Sequence, residues 1–582
     1  MRRSRTGGPV QTVLVANRGE IAVRILRACR ELGLRTVAVF SDADAAAPHV
    51  GMADEAVRIG PAPARSSYLD IDALLHAAKS TGADAVHPGY GLLSEDAAFA
   101  AAVTAAGLTF VGPSAHVVAR MGDKVAARAV AVECGVPVPR GSGPVTVDGA
   151  AAAAEKIGFP LVVKATHGGG GRGMRVVTSA DGLADAVTAA GREAAASFGR
   201  SEVHLERYLE RPRHVEVQVV GDTHGTILHL GDRDCSVQRR HQKLIEEAPA
   251  PGLGPSLRQA LADAAVTLAR TVGYVGAGTV EFLVLPVTGE FFFLEMNTRL
   301  QVEHGVTELV TGLDLVATQL RVAAGEALAF TRDDVVIRGH AIQARIAAED
   351  PWDGFRPAPG RVDALVLPHG PGVRNDFGLA HEGVVAPEYD SMFGKVLAHG
   401  SDRESARRRL IGALDELHVD GIPTTAPYLR SVLDSASFTA ATHDTGSVAR
   451  EWVPDPTSRP RPPAPQDGGR RRRVRIATDR GVVEVDVHGG GPRAVTRAAR
   501  ATGVPAASRA AAGGPAVAPM DATVVEIRVG AGQQVAAGDV VAVLEAMKME
   551  MEIRTDVAGE VTAVLVEAGA PVAAGSPLIS LG

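Results

Sequence analysis

The chain is 582 residues long, about four times a typical domain, so several cores are expected rather than one. Sixty Lys and Arg against 67 Asp and Glu leave a formal charge of −7, on a chain that is 46% hydrophobic and 22% charged. That balance is ordinary for a globular protein and excludes a disordered polymer, a collagen and the basic surplus of a nucleic-acid binder. Cys29, Cys134 and Cys235 lie far apart and are odd in number, which argues against a disulfide framework or a cysteine zinc site and fits a reducing compartment. The basic start is followed by an apolar run of only residues 13–16, so no signal-peptide core is expected. No later stretch reaches the roughly eighteen uncharged apolar residues of a membrane helix. A cytoplasmic protein without a membrane or nucleic-acid partner is predicted.

From the N-terminus, residues 13–16, Gly19 and the helical spacing of Ile21, Ile25, Leu26 and Leu32 read as strand, turn and helix, ended by Gly33. Strands at 36–40, 85–88 and 109–111 continue the alternation and predict a parallel sheet with crossover helices, an α/β domain over residues 10–120. Residues 121–330 mix helices with strands at 161–165, 215–220, 280–285 and 291–295, and they hold most of the polar motifs. Residues 331–453 stay globular, with short strands and a helix at 403–417. Then the composition changes: six prolines from Pro454 to Pro465 precede the arginine run 470–473. Residues 454–515 therefore read as a stiff solvated linker, with a small hairpin within 474–487 and a second hinge in the Ala/Gly/Pro tract 506–519.

The last piece, residues 516–582, is an internal repeat. A constant offset of 37 lays residues 523–544 on 560–581 and superposes Gly532 on Gly569, Gly538 on Gly575 and Val535 on Val572. Two matching sets of short strands with glycines at their turns describe a small pseudo-twofold β-sandwich.

Lysine is scarce: there are seven, Lys79, Lys124, Lys156, Lys164, Lys243, Lys395 and Lys548, against 53 arginines. Arginine replaces lysine as a surface cation but offers neither a compact ammonium nor a nucleophilic amine, so the surviving lysines are candidates for chemistry. Lys79 and Lys156 sit in ordinary helix-like stretches and are read as having no role.

Between the halves of the repeat stands Glu545-Ala546-Met547-Lys548-Met549-Glu550, which puts a lysine at a hairpin tip. This motif in a repeated β-sandwich resembles the biotinyl domain of biotin-dependent carboxylases, and the resemblance implies that Lys548 carries biotin through an amide. Where that domain usually begins Ala-Pro-Met-Pro-Gly, this chain has Ala518-Pro519-Met520-Asp521-Ala522, a change in a turn. Upstream, Lys164 ends a strand and is followed by Gly168, Gly169, Gly170 and Gly171, whose backbone N–H groups can close over phosphate oxygens. The stretch resembles the nucleotide-covering lid of ATP-grasp biotin carboxylases, with His167 where many members have another glycine. Glu281 and Glu295 fall on two strands that read as a hairpin, with Asn297 beside them, a hard oxygen set suited to Mg2+ or Mn2+ bridging ATP phosphates. Phe282, Leu283 and residues 291–294 are expected to surround them with apolar side chains.

The donor- and acceptor-rich blocks 233–243 and 297–304 extend the resemblance to biotin carboxylase over residues 10 to about 450. It implies that Lys124, Lys164, Glu206, Leu209, His214, Gln238, His241 and Leu283 contact ATP together with the lid glycines. It implies that Lys243, Arg299, Gln301, Val302 and Glu303 hold bicarbonate, that Glu303 is the base, that Arg345 stabilises the biotin enolate, and that Tyr90 lies close to biotin. A carboxylate beside a bound anion is expected to gain proton affinity, and a guanidinium opposite a developing oxyanion to stabilise it. Two departures stand out. Gly305 follows Glu303-His304 where proline is usual and is expected to loosen its loop, and Gln343-Ala344-Arg345 replaces the usual Glu-Cys-Arg. Cys235, although near Asp234 and His241 in sequence, is read as a small buried residue rather than a nucleophile.

The fold expected is α/β: a biotin carboxylase N-terminal domain, an ATP-grasp domain with a mobile lid, a biotin carboxylase C-terminal domain and an all-β biotinyl sandwich. The implied function is ATP-dependent carboxylation of carrier-bound biotin by bicarbonate through carboxyphosphate, the first half-reaction of an acyl-CoA carboxylase. Implied partners are a separate carboxyltransferase (beta) subunit, since no such domain follows the carrier before Gly582, and a biotin protein ligase. A homo-oligomer within a larger hetero-oligomer is expected. The short segment between carboxylase and carrier favours acetyl- or propionyl-CoA as acceptor, with methylcrotonyl-CoA or pyruvate as alternatives. A non-biotin carboxylate–amine ligase would leave Lys548 unexplained, and a scaffold with a dead ATP site would require a missing charged group.

Overall fold

Four buried residues, Thr12–Val15 (β1), three of them apolar, form the middle of a parallel sheet with Arg35–Ser41 (β2), Glu55–Gly60 (β3), Ala85–His87 (β4) and Thr109–Phe110 (β5), in the order β3-β2-β1-β4-β5. Helices cover both faces, which is why β1 reads as an unbroken hydrophobic run. At the carboxyl ends of β1 and β4 the Asn17 amide donates to the carbonyls of Pro88 (2.7 Å) and Tyr90 (2.8 Å), so the loop bearing Tyr90 is pinned to the sheet. The structure is a computed structural model describing residues 10–166, 174–198, 201–455, 457, 459, 472–478, 481–487, 516–519, 522–546, 549–573 and 575–582. The chain divides into two units, residues 1–453 and 454–582.

Within the first unit, Gly141–Val145 (β6), Leu161–Ala165 (β7), Arg175–Val177 (β8) and Val203–Arg207 (β9) make a second sheet, ordered β6-β9-β7-β8. Helices Val147–Ile157 and Leu183–Phe198 pack on it through Ala150, Leu161, Val163, Leu183 and Leu205. The expected lid glycines 168–171 lie between β7 and β8, outside the described residues.

The largest sheet has eight antiparallel strands. Arg213–Gly221 (β10), Ile227–Arg239 (β11), Gln242–Ala248 (β12), Gly276–Val284 (β13), Phe291–Asn297 (β14) and His340–Ala347 (β15) run in the order β14-β13-β10-β11-β12-β15, followed by Met392–Gly400 and Val373–Phe377. One continuous sheet thus spans residues 213–400. Strand alternation sorts its two faces. Val280, Phe282 and Val284 of β13 enter the core beneath helix Pro255–Thr271, with Leu261, Ala265 and Leu268, so Glu281 and Leu283 face the other way. Phe282 therefore does not line the carboxylate face, contrary to the sequence expectation. Register then aligns Glu216 of β10 with Glu281, and Glu281 with Glu295 of β14.

In the second unit, Arg472–Thr478 pairs with Gly481–Val487 as an antiparallel hairpin. The repeat folds as a sandwich of two small sheets. Ala522–Ile527 matches Gly559–Val564 and Gln534–Val535 matches Pro571–Val572 at the offset of 37. Each half lends a strand to the other: Pro571–Val572 pairs with the start of Ala522–Ile527, and Gln534–Val535 with the start of Gly559–Val564. The paired turn glycines have matching left-handed backbones, φ +84° and +86° at Gly532 and Gly569, and +94° and +82° at Gly538 and Gly575. That conformation costs a side-chain-bearing residue and not glycine.

Candidate functional site

On the polar face of the large sheet Lys243 of β12 is almost enclosed. Its ammonium donates to Glu216 Oε2 (2.6 Å), Glu281 Oε1 (2.8 Å) and Glu303 Oε1 (2.6 Å). Three carboxylates around one cation hold Lys243 protonated: burial favours the neutral amine, but Glu216, Glu281 and Glu303 raise its pKa well above the ordinary value. Arg345 of β15 reaches the second oxygen of Glu303 through Nη2 at 3.1 Å. Burial pushes the Glu303 carboxyl up, yet Lys243, Arg345 and Arg233 together hold it well below the usual carboxylate range. The protein's own cations thus lower the proton affinity of Glu303; the rise expected beside a bound anion is a separate effect that would act against them.

Glu281 collects further donors. Asn297 Nδ2 lies at 2.8 Å and Gln301 Nε2 at 3.0 Å from its Oε1, and His214 Nε2 is 2.7 Å from its Oε2. Arg299 braces the same loop, donating to Asn297 Oδ1 (3.1 Å), Gln301 Oε1 (3.2 Å) and Glu95 Oε2 (2.8 Å). Glu295 stands beside Glu281 without an ion pair among the described residues, and burial and the Glu281 charge raise its proton affinity. A carboxylate whose charge Lys124, Lys243 and His214 offset only in part, next to a second carboxylate, suits a hard divalent cation. Asn297, the third ligand expected, turns its amide N to Glu281 and its oxygen to Arg299.

The remaining expected residues fall into two groups. Gln238 (buried), Leu283 (half-buried) and His241 lie on or beside the same sheet, with Arg240 and His241 forming the two-residue β11–β12 turn at φ +49° and +68°. Two successive non-glycine residues in that region hold the imidazole at the sheet's edge. Lys164 pairs with Glu206 across β7 and β9, and Arg128 Nη1 is 3.2 Å from the same carboxylate; Lys124 opens the helix Lys124–Glu133, and Leu209 is buried after β9. Tyr90 donates its hydroxyl to Glu20, which also lies 3.0 Å from Lys395 Nζ. Lys548 lies outside the described residues, between the paired strands Val540–Ala546 and Met549–Arg554.

Similarity to known proteins covers most of the first unit and the last part of the second. Residues 9–118 match the N-terminal domain of biotin carboxylase, 123–331 the ATP-binding domain of the carbamoyl-phosphate synthase L chain, 343–450 the biotin carboxylase C-terminal domain, and 514–581 the biotin-requiring enzyme domain. Over 432 residues the chain is 51% identical to a biotin carboxylase of Haemophilus influenzae, covering 74% of this chain and 96% of that one. The chain belongs to the biotin carboxylase family. It is also 48% identical over 444 residues to the methylcrotonoyl-CoA carboxylase subunit alpha of Oryza sativa, covering 76% of this chain and 60% of that protein. A crystal structure of a biotin carboxylase β,γ-ATP complex from Campylobacter jejuni superposes with TM-score 0.72 at 42% identity, over 76% of this chain and 99% of that one. The biotin carboxylase domain of 2-oxoglutarate carboxylase from Hydrogenobacter thermophilus, with MgADP and bicarbonate, gives 0.71 at 41% identity, over 76% and 98%.

This biotin carboxylase joins an ATP- and bicarbonate-dependent activity to a biotin-requiring carrier domain in one chain. Three residues of its site were not singled out in the sequence. Glu216 shares Lys243, and Glu246 accepts from Arg345 Nε. Arg233, fully buried, donates to Glu216 Oε1 (2.5 Å), Gln218 Oε1 (2.8 Å) and Thr307 Oγ1 (2.8 Å). The signal available was alternation: His214, Glu216 and Gln218 form a polar stripe on a strand whose other face is valine. Cys235 is buried 3.9 Å from Glu303, and burial holds its thiol well above its ordinary pKa, an inert group.

Proposed function

We propose that Glu303 is the base that takes the proton from bicarbonate, with Lys243 and Arg299 holding the anion and Gln301 and Val302 completing its cradle. The observation that carries this is the clamp on Glu303, with Lys243 on one oxygen at 2.6 Å and Arg345 on the other at 3.1 Å. A carboxylate so held is charged at neutral pH, and the same two cations attract an incoming anion, whose charge beside Glu303 raises the proton affinity that the cations lower. Arg345 then faces the oxyanion that develops on biotin, close to Tyr90. Lys164, Glu206, His214, Gln238, His241, Lys124, Leu209, Leu283 and the glycines 168–171 hold ATP. Glu281 and Glu295 hold a magnesium ion, which neutralises phosphate charge when bound; the related domain from Hydrogenobacter thermophilus contains MgADP and bicarbonate. Glu303→Gln is expected to lower bicarbonate-dependent ATP cleavage by about 10²- to 10⁴-fold while KM for ATP stays within about twofold. An unchanged rate would remove Glu303 from the role.

Lys548 is the biotin attachment site and a biotin protein ligase its modifying partner. Intact mass after co-expression with a ligase is expected to show one added biotin in the wild type and none in Lys548→Arg; biotin on both would relocate the site. The acceptor is an acyl-CoA, acetyl- or propionyl-CoA, served by a separate carboxyltransferase subunit in the cytoplasm, within a larger hetero-oligomer. The brevity of residues 454–515 supports this over a methylcrotonyl-CoA enzyme, for which a longer intervening domain is expected. Carboxylation of a panel of acyl-CoA esters and pyruvate by the assembled enzyme tests it, and preference for pyruvate or methylcrotonyl-CoA would overturn it.

A further inference from the structure

Register sets Lys395, on the strand Met392–Gly400, directly opposite Arg345 of β15 on one side and Asp376 of the edge strand Val373–Phe377 on the other. Opposed residues of antiparallel strands share a sheet face, so Lys395 and Arg345 stand side by side beneath the loop of Glu303. Lys395 is fully buried. Its ammonium donates to the Val302 carbonyl at 2.7 Å and lies 3.0 Å from Glu20 Oε1, with Asp376 Oδ2 at 4.0 Å and the Tyr90 ring centroid at 5.9 Å. Arg374 Nη2 holds Asp376 at 2.8 Å, so Glu20 is the carboxylate that answers Lys395. The same Glu20 oxygen accepts from the Tyr90 hydroxyl. One cation thus reaches the loop of Glu303 directly and Tyr90 through Glu20.

The Val302 carbonyl belongs to the peptide that joins Val302 to Glu303. A peptide is planar, so holding its oxygen also fixes the direction of the Glu303 N–H and the place of the Glu303 Cα. Glu303 has φ −84° and ψ 7°, in the sparsely populated bridge region, just before helix His304–Thr311. On the other side, Glu20 is the second residue of the helix Gly19–Glu31, and Tyr90 lies in the loop that Asn17 pins to the N-terminal sheet. A compact ammonium can address acceptors in several directions at once, which the planar fork of arginine cannot. Burying that charge is costly, and well-packed apolar side chains of similar volume would fasten the three segments as well or better. The ion pair therefore needs a use beyond stability.

We propose that Lys395 is a positioning residue that sets the Val302–Glu303 peptide and, through Glu20, the Tyr90 hydroxyl in one frame, so that the bicarbonate side and the biotin side of the site are aligned together. The inference rests on the reading above in which Glu303 is the base and Tyr90 lies close to biotin. Glu20 is the telling residue. It touches Tyr90, on the biotin side, and reaches the bicarbonate side through Lys395, so its loss is felt by both substrates.

The experiment is steady-state carboxylation of free biotin by the full-length chain, with bicarbonate, biotin and ATP varied in turn. Glu20→Gln and Lys395→Met are each expected to raise KM for bicarbonate and KM for biotin together by about tenfold, while KM for ATP stays within about twofold. Wild-type values for both substrates, or an equal rise in KM for ATP, overturn the proposal. Because one buried partner left alone can unfold the chain, the paired variant Glu20→Met/Lys395→Met is measured beside them. Its denaturant midpoint is expected to return toward wild type while both KM values stay raised; KM values that recover with the midpoint make the pair a structural contact and overturn the proposal. Glu303→Gln separates the two readings. If it carboxylates biotin normally, the reading of the site fails and this inference with it; if it is inactive while the Glu20 and Lys395 variants keep wild-type KM values, only this inference fails.

Discussion

Glu349, two residues past the end of β15, is a buried carboxyl with little compensation. Its Oε1 accepts from Ser391 Oγ at 2.5 Å, and burial, reinforced by Asp390, pushes its pKa up to about 7 from an ordinary 4.5. The folded state therefore binds a proton between pH 4.5 and about 7 that the unfolded chain has released, so stability contributed by this group falls as pH rises through that window and stays lost above it. Glu349→Gln keeps the acceptor for Ser391 and removes the titration. Thermal unfolding is expected to show the variant gaining up to about 3 kcal/mol on wild type at pH 8 relative to pH 5, from about 1.4 kcal/mol per pH unit; the same gain at both pH values would show that Glu349 does not titrate in this range. Lysine scarcity was an informative signal at this scale: it singled out Lys243, which the fold places at the centre of the site. It did not explain Lys395, which is fully buried, lies 3.0 Å from Glu20 and donates to the Val302 carbonyl at 2.7 Å. Lys395 ties Glu20, in the helix Gly19–Glu31, to the loop of Glu303, and its contact with Val302 joins residues 93 apart, which no local pattern contains. The charge state of Glu303 was likewise illegible, because it depends on Lys243, Arg345 and Arg233, which come from three different strands.

Helices and strands were easier to read than the faces they present. The hairpin bearing Glu281 and Glu295 was evident from sequence, and register puts the two opposite each other. Less evident was the packing around Gly305. Instead of loosening a loop, Gly305 is buried in the first turn of helix His304–Thr311, where a Cβ would stand 2.6 Å from Leu397 Cδ2 of the neighbouring strand Met392–Gly400. A Cβ there would press on the end of the buried Leu397 side chain, which must shift to admit it. Gly305→Ala is expected to cost about 1–3 kcal/mol by overpacking, and Leu397→Ala in the same chain to recover at least about 0.5 kcal/mol as coupling energy. Denaturant unfolding of the two single variants and the double variant measures this; strict additivity would mean the helix shifts freely.

At the scale of the molecule, two units with separate tasks share one chain. A tether raises the local concentration of one partner at the other, so shortening it should affect transfer and not the chemistry at the carboxylase. Deleting residues 506–514 is expected to reduce acyl-CoA carboxylation while leaving ATP cleavage with free biotin intact, as steady-state assays of both would report; equal loss of both would sink the tether argument. The repeat that predicted the carrier fold says more than symmetry. Because each half donates a strand to the sheet of the other, neither half has a complete sheet by itself. The strand leading into Lys548, Val540–Ala546, lies against Ala522–Ile527, whose own far neighbour comes from Pro571–Val572 near the end of the chain. The hairpin around Lys548 is thus framed only once translation has reached the last strands. If Lys548 is the attachment site proposed above and the ligase recognises the folded hairpin, biotin would be a stamp of completion, withheld from chains cut short of Pro571–Val572.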